Sequence, residues 1–253
     1  MISEAYNMDC LEAMRAMPDN AFDLAVVDPP YGDGNAVGLA NASQDMKKPP
    51  PKLRGGGRHY SFGGRKKEKT YQNRRDLGTE IRKKIVAWDM APEKEYFEQL
   101  FRVSRNQIIW GGNYFELPPT RCFLVWRKLS ITESFSMAMA EYAWTSFTGN
   151  AKVFECAPQG KPGDRFHPTQ KPIELYAWIY NLFAKPGMKI LDTHLGSGSS
   201  RIAAYNAGLD FVGYEIDKDY FDKQEERFAR HTAQMNLFQW QAETERAEDE
   251  IGT

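Results

Sequence analysis

Asp28-Pro29-Pro30-Tyr31 closes the apolar run Phe22-Asp-Leu-Ala-Val-Val27. Two prolines behind a strand fix the backbone, turn a carbonyl outward and hold the flanking side chains in place. Asp28 then offers a carboxylate acceptor, Pro29 a carbonyl acceptor and Tyr31 an aromatic face, with Pro30 stiffening the turn. A flat ring carrying an exocyclic amine presents two N–H bonds and a π face, which complements that set. The plain alternative is a rigid strand-to-loop turn with an incidental acid. Four such residues after a buried strand favour the chemical reading.

A second constellation is Asp192-Thr-His-Leu-Gly-Ser-Gly-Ser199, with Glu215 23 residues beyond Asp192. Gly196 and Gly198 allow close approach of backbone to a ligand, and the following helix starts with free N–H groups. An acid at the end of the next strand can accept hydrogen bonds from both ribose hydroxyls. The run lacks the lysine of a phosphate-binding loop and is no dinucleotide fingerprint. It points to a nucleoside-bearing cofactor, with a plain tight turn as the alternative.

The elements that must position these groups follow from periodicity. Phe22 to Asp28 reads as an interior parallel strand, and Ile2 to Tyr6 as an edge or neighbouring strand. Asp9 to Met17 reads as a short helix started by Asp9. A helix is expected from Pro92, in its first turn, through Tyr96, Phe97, Leu100 and Phe101. Strands are expected at Gln107 to Trp110, Cys122 to Trp126, Glu141 to Ser146 and Val153 to Cys156, and a helix over Pro172 to Phe183. The last unit is a strand at Met188 to Asp192, the glycine turn, and a helix at Ser200 to Ala207 closed by Gly208. A strand at Asp210 to Ile216 and a polar helix from Lys218 to about Met235 complete it. That is a βαβ unit with its turns at the carboxyl end of a sheet. Trp110, Trp126, Trp144 and Trp178 read as core, whereas Trp88 has polar neighbours. Asn113, after a strand, either lines the crevice or caps a turn.

Residues 33–80 interrupt this order. Gly34, Gly38, Gly55 to Gly57, Gly63 and Gly64 mix with Pro49 to Pro51 and many basic residues. A loop of this length without structure is uncommon in a compact domain unless it is mobile or holds a substrate. From Asn41 to Lys84 there are 14 Lys or Arg against four acids, a local charge of +10; Glu215 to Glu250 carries −6. The overall charge of −1 therefore conceals a segregated chain whose basic block could meet a polyanion. The bland reading is a solvated loop.

Composition sets outer bounds. With 253 residues, 42% hydrophobic and 26% charged, the chain suits one large α/β domain and a modest accessory region. No apolar stretch is long enough for a membrane helix, and the N-terminus lacks a signal-peptide pattern, so a cytoplasmic protein is expected. Cys10, Cys122 and Cys156 read as buried thiols with neither disulfide framework nor ligand pair.

Taken in this order, the motifs resemble those of the amino-methylating DNA methyltransferases. The resemblance is to the circularly permuted group, in which the DPPY tetrad precedes the cofactor-binding glycine motif, and it runs from Met8-Asp9 to about Arg227. Asp28, Pro29, Pro30 and Tyr31 are similar to the family's catalytic tetrad. Asp192, His194, Gly196, Ser197 and Gly198 are similar to its methionine-binding loop, and Glu215 to its ribose-binding acid. His167-Pro168-Thr169-Gln170-Lys171-Pro172 resembles the segment in which Thr169 and Lys171 face the methionine end. Asp9, with Cys10 beside it, resembles the acid that contacts the cofactor adenine.

The resemblance implies an α/β S-adenosylmethionine-dependent methyltransferase fold, circularly permuted, with a mostly parallel twisted sheet and helices on both faces. It implies one catalytic domain over residues 1–253, with 33–88 a basic insertion contacting DNA and 146–164 a short recognition segment. The implied cofactor is S-adenosyl-L-methionine and the implied partner double-stranded DNA, with no metal and no membrane. A homodimer is left open, and so is a companion restriction endonuclease. Lys47, Lys48, Arg54, Arg58, His59, Arg65, Lys66 and Lys67 are the expected DNA contacts. One departure is Asp192-Thr193-His194-Leu195-Gly196, where the family commonly has Asp-Pro-Phe-x-Gly. His194 can still stack, so tuned rather than lost activity is expected.

The implied reaction is methylation of adenine N6 in a flipped base by direct in-line transfer, with Asp28 and the Pro29 carbonyl accepting hydrogen bonds from the two amine N–H groups. None of the three cysteines follows a proline, which removes the usual route to cytosine C5. Cytosine N4 is the nearest alternative, and an RNA or protein-amide methyltransferase is disfavoured. A catalytically silent nucleic-acid-binding protein is the alternative of another class.

Overall fold

The computed structural model describes residues 1–32, 90–133, 138–158 and 165–251, with side chains as far as 234. The chain divides into a main body, Met1–Pro29 with Pro92–Thr253, and a second unit, Pro30–Ala91. Of the second unit, residues 30–32 and 90–91 are described. Lys47, Lys48, Arg54, Arg58, His59, Arg65, Lys66, Lys67 and Trp88 therefore lie outside the described residues.

In the main body β1 (Ser3–Tyr6), α1 (Cys10–Ala16) and β2 (Phe22–Val27) precede α2 (Lys94–Val103) and β3 (Ser104–Trp110). Next come β4 (Phe123–Lys128), β5 (Ala140–Thr145), β6 (Lys152–Cys156) and α3 (Ile173–Phe183). The chain continues through β7 (Lys189–Asp192), α4 (Ser199–Asn206), β8 (Asp210–Tyr214) and α5 (Lys218–Ile251). The eight strands form one sheet in the order β1-β8-β7-β2-β3-β5-β4-β6. From β1 to β3 every pairing is parallel, while β5 runs antiparallel to both neighbours and β6 parallel to β4.

Strands buried on both faces explain the continuous apolar runs. Ala25 and Val27 of β2 pack with Met14 of α1 and Tyr96, Leu100 and Val103 of α2. Leu24 and Val26 face the other side, against Leu175, Ile179 and Tyr180 of α3 and Ala203 and Ala204 of α4. Each fully buried aliphatic side chain contributes about 1.5–3 kcal/mol relative to exposure, so this alternation fixes which way β2 faces. It also fixes where its carboxyl end delivers Asp28.

The expected elements are all present, with informative shifts at their ends. Asp9 caps α1, its carboxylate accepting from the Leu11 N–H at 2.7 Å. Pro92 lies before α2 rather than in its first turn, because Glu93 takes the cap position. β3 begins at Ser104, earlier than its apolar run, with the Ser104 hydroxyl donating to the Leu100 carbonyl at 2.6 Å. α5 continues to Ile251, well past Met235, since neither Gly nor Pro interrupts it before Gly252. Trp110, Trp126 and Trp144 are buried. Trp178 instead lies at the margin of the core, stacked on Phe154 at 5.0 Å. Cys122 is buried, but Cys10 and Cys156 are only half-buried. The 146–164 segment includes the edge strand β6, and its residues 159–164 lie outside the described residues.

Candidate active site

Because β1, β8, β7, β2 and β3 are parallel, their carboxyl ends share one edge of the sheet. Asp9, Glu215, Asp192 and Asp28 each sit at or just beyond such an end. The end of β1 is tied to that of β8: the Glu215 N–H donates to the Tyr6 carbonyl at 3.0 Å, and Asn7 Nδ2 donates to the Glu215 carbonyl at 2.8 Å. Open α/β sheets bind ligands at this edge.

The turn after β7 is built around left-handed backbone. Gly196 has φ +52° and Gly198 φ +73°, a region that strains L side chains. A Cβ at Gly196 would meet the His167 ring at 3.4 Å, and one at Gly198 would meet Gln224 at 3.2 Å. The turn also receives a cation from α5: buried Arg227 donates to the Ser197 carbonyl and the Ser199 hydroxyl, both at 2.9 Å.

Glu215 is buried, which pushes its carboxyl up despite the backbone N–H groups that favour its anion. Oε2 accepts from Gly196 N–H at 2.8 Å and Oε1 from Asp217 N–H at 2.9 Å. Asp192 accepts from His194 N–H at 3.1 Å and from the Ser200 hydroxyl. Burial, with Asp28 and Glu215 nearby, raises its carboxyl to about 7. The Cys10 thiol is pushed to about 12, chiefly by burial and then by Asp9, so it stays protonated and is no nucleophile.

His194 is neutral, burial lowering it to about 4. Its Nδ1 lies 3.0 Å from the Thr193 hydroxyl, and its ring meets Tyr96 edge-on at 5.5 Å. The Tyr96 hydroxyl in turn bonds Thr193 at 2.6 Å, joining α2 to the turn. Thr169 bonds His167 Nδ1 at 3.2 Å, and the His167 ring packs against Tyr220. Burial, with Lys171 and Arg165 nearby, lowers His167 to about 3.

Asp28 has a partner that the spacing of the motifs does not reveal. Lys171, from the turn before α3, donates to Asp28 Oδ2 and rests over the Trp110 ring at 5.3 Å. Lys171 also lies 3.1 Å from Glu141 on β5, which pairs with Lys128 on β4 at 2.5 Å. Arg227, Tyr96, Glu141 and Lys128 are thus site residues that sequence reasoning missed. Pro30 and Tyr31 belong to the second unit, where Gly32 has φ +69° against Ala91. Asn113 is exposed in a single 3-10 turn. Among the described residues no His, Cys, Asp and Glu group could hold a metal, and no helix is long and apolar enough to cross a membrane.

Residues 65–226, more than half of the chain, match the DNA methylase family of N6/N4 methyltransferases. The chain belongs to that family. The matched span of this family member contains Lys171, the glycine turn and Glu215, and it leaves Asp28 to Tyr31 outside. The type II methyltransferase M.BglII of Bacillus subtilis is 24% identical, the alignment covering 87% of this chain and 67% of that protein. YubD of Escherichia coli strain K12, named as a methylase, is 34% identical over 67 residues, 26% of this chain and 30% of YubD. The chain thus aligns with under a third of that relative's length. Among solved structures the fold is similar to PvuII DNA methyltransferase, named as cytosine-N4-specific (TM-score 0.51, 14% identity, 90% and 86% of the two chains). It is also similar to TTHA0409 of Thermus thermophilus, named as a DNA modification methylase (TM-score 0.50, 16% identity, 91% and 96%).

Proposed function

We propose that this member of the DNA methylase family transfers a methyl group from S-adenosylmethionine to the N6 amine of adenine in double-stranded DNA, acting on a flipped base. The carrying observation is Asp28: a carboxylate anchored by Lys171 at the carboxyl end of β2, on the sheet edge that holds the glycine turn and Glu215. The chain order, with the DPPY strand before the glycine turn, supports the permuted arrangement. Joining the end of α5 to β1 would restore an uninterrupted succession of strands in the cofactor half.

The residues fit the cofactor. Asp9, Asp28, Asp192 and Glu215 gather anionic groups on one edge of the sheet, a setting that favours a cationic sulfonium. Left-handed Gly196 and Gly198 let backbone approach closely, and Glu215 behind β8 and Asp9 behind β1 are the acids we assign to the ribose and the adenine. When bound, the cofactor supplies a methyl group already activated on sulfur. The protein's part is positioning and electrostatics. Asp28 and the Pro29 carbonyl accept hydrogen bonds from the two amine N–H groups and favour a more tetrahedral nitrogen, with its lone pair aimed at the methyl. One proton leaves the nitrogen as the N–C bond forms and the S–C bond breaks. Neutral His194 serves as an aromatic spacer against Tyr96. Tyr31 stacks on the extruded base and offsets part of the unstacking cost of a few kcal/mol.

The test is methyl transfer from a tritiated donor to DNA, followed by mass analysis of the digested nucleosides. N6-methyladenine is expected; N4-methylcytosine would move the acceptor to cytosine. DNA binding with no transfer to either base would favour the silent reading. Asp28→Ala should keep cofactor affinity by calorimetry and lose nearly all transfer, and near-native turnover would remove Asp28 from the chemistry.

A further inference from the structure

Four charged side chains from separate elements form a row of contacts: Lys128 of β4, Glu141 of β5, Lys171 before α3 and Asp28 behind β2. The signs alternate and the row is neutral. The side chains of Lys171 and Lys128 are 4% and 7% exposed, so both ammonium groups have left water for carboxylates. Each also rests over an indole, Lys171 over Trp110 at 5.3 Å and Lys128 over Trp126 at 5.1 Å. Glu141 Oε1 takes the Lys128 bond, while Oε2 is buried 3.1 Å from Lys171 without an aligned hydrogen bond. The Glu141–Lys171 contact is therefore one of charge more than of directed bonding.

A carboxylate fully paired with a buried ammonium is a weak acceptor for anything else, because charge interactions at this range are strong in a low-dielectric interior. A carboxylate with no cation beside it would be costly to bury and poorly placed. We propose that Glu141, backed by Lys128, is a positioning residue for methyl transfer: it divides the charge of Lys171, so that the ammonium fixes Asp28 without quenching it as an acceptor. This rests on the reading of Asp28 as the residue that receives the target amine.

The surrounding charges agree with that division. Burial alone would depress Lys171, yet Asp28 and Glu141 together hold it above the ordinary lysine value. Burial alone would raise Glu141, yet Lys171 and Lys128 hold it below the ordinary carboxylate value. Among the described residues Tyr176 of α3 and Tyr96 of α2, both raised by burial, and His167, lowered by burial and then by Lys171, face the row as neutral groups. Asp192 behind β7, raised to about 7, faces Asp28 as an acid.

Two single variants push Lys171 in opposite directions. Glu141→Gln removes an anion, so Lys171 loses its proton at lower pH and the alkaline loss of kcat moves down. Lys128→Met returns the whole charge of Glu141 to Lys171, so that loss moves up. In Glu141→Gln kcat should fall about 10–100-fold, as is typical of groups acting through another residue, with the cofactor KM near native. Lysine-selective ¹⁵N NMR of the cofactor-free protein, run from about pH 8 to about pH 12, follows the Lys171 ammonium independently of activity. Its titration should move down in Glu141→Gln and up in Lys128→Met. Where Glu141→Gln fails to fold, the charge-neutral double variant Lys128→Met/Glu141→Gln carries the test, with kcat reduced and Lys171 titrating below native. A folded Glu141→Gln or double variant with native kcat and native titration would overturn the inference, as would a shift in the same direction in both singles. Asp28→Ala separates the two levels. If it stays active, the reading of Asp28 fails; if it is inactive while Glu141→Gln is native, only the role of Glu141 fails.

Discussion

Asp192→Asn should make the protein more stable above neutral pH, and by an amount that depends on pH in a defined way. Asp192 is buried, and its carboxyl is raised from 3.8 to about 7 by that burial and by Asp28 and Glu215. A raised carboxyl favours the protonated fold. The associated stability is fully present below the unfolded value of 3.8, is lost as pH rises to about 7, and is flat beyond. About three pKa units at 1.36 kcal/mol each give about 4 kcal/mol at most as the cost of holding the carboxylate in the fold. Asparagine has nearly the same shape and leaves neither neighbour unpaired. Its Oδ1 can accept the His194 N–H, and its Nδ2 can donate to the Ser200 hydroxyl. Urea unfolding of the native and Asp192→Asn proteins at about pH 8 and about pH 4 measures the difference directly. The variant should be more stable by a few kcal/mol at the higher pH and nearly equal to native at the lower one. His167 and His194, held at about 3 and about 4, cost both proteins stability in acid and cancel in the comparison. A constant difference at both pH values, or a native protein more stable at the higher one, would refute the reasoning. Cofactor affinity should fall in the same variant, because the anion that favours a sulfonium has gone.

Glu215→Ala removes the acceptor of two backbone N–H groups as well as the proposed ribose contact. Each such charged hydrogen bond contributes about 1.5–3 kcal/mol, so calorimetry should record markedly weaker cofactor binding. An unchanged Kd in a folded variant would place the ribose elsewhere. Gly112→Ala should destabilise by about 1–3 kcal/mol, because its Cβ would lie 2.5 Å from the Trp144 Cβ; a native Tm would contradict this packing. Halving the 14 basic residues between Asn41 and Lys84 should lower the salt dependence of DNA binding. The fall should be by about 0.9 in slope per lost phosphate contact. Unchanged slope and unchanged target preference would make the segment a solvated loop and shift recognition towards residues 146–164.

The site's electrostatics connect these outcomes. Asp9, Asp28, Asp192 and Glu215 share one edge of the sheet, yet each is managed differently. Asp9 caps a helix, Glu215 accepts backbone N–H groups, Asp28 is paired with a lysine, and Asp192 has hydrogen bonds but no cation among those described. Asp192 is accordingly the acid whose burial is least compensated, which is why its substitution is expected to stabilise.

What the sequence determined by itself is what lies within a few residues of a strand end. The run from Phe22 to Pro29 specifies a buried strand and the acid that follows it. The span from Lys189 to Glu215 specifies a strand, a left-handed glycine turn, a helix and an acid. Those signals are local: apolar runs set the strands, glycine and proline set the turns, and a parallel sheet brings the strand ends to one edge. Helix ends were less legible, and α5 ran on to Ile251 because polarity alone does not stop a helix. Tertiary structure decided the partners. Lys171 reaches Asp28 across 143 positions, Arg227 reaches Ser197 across 30, and Tyr96 reaches Thr193 across 97. Glu141 and Lys128 meet only because β5 runs antiparallel to β4 in one register, with Glu141 opposite Trp126 and Lys128 two residues further along. Residue spacing carries no information about such contacts, since a buried charge is satisfied by whatever the packed sheet brings within a few ångströms.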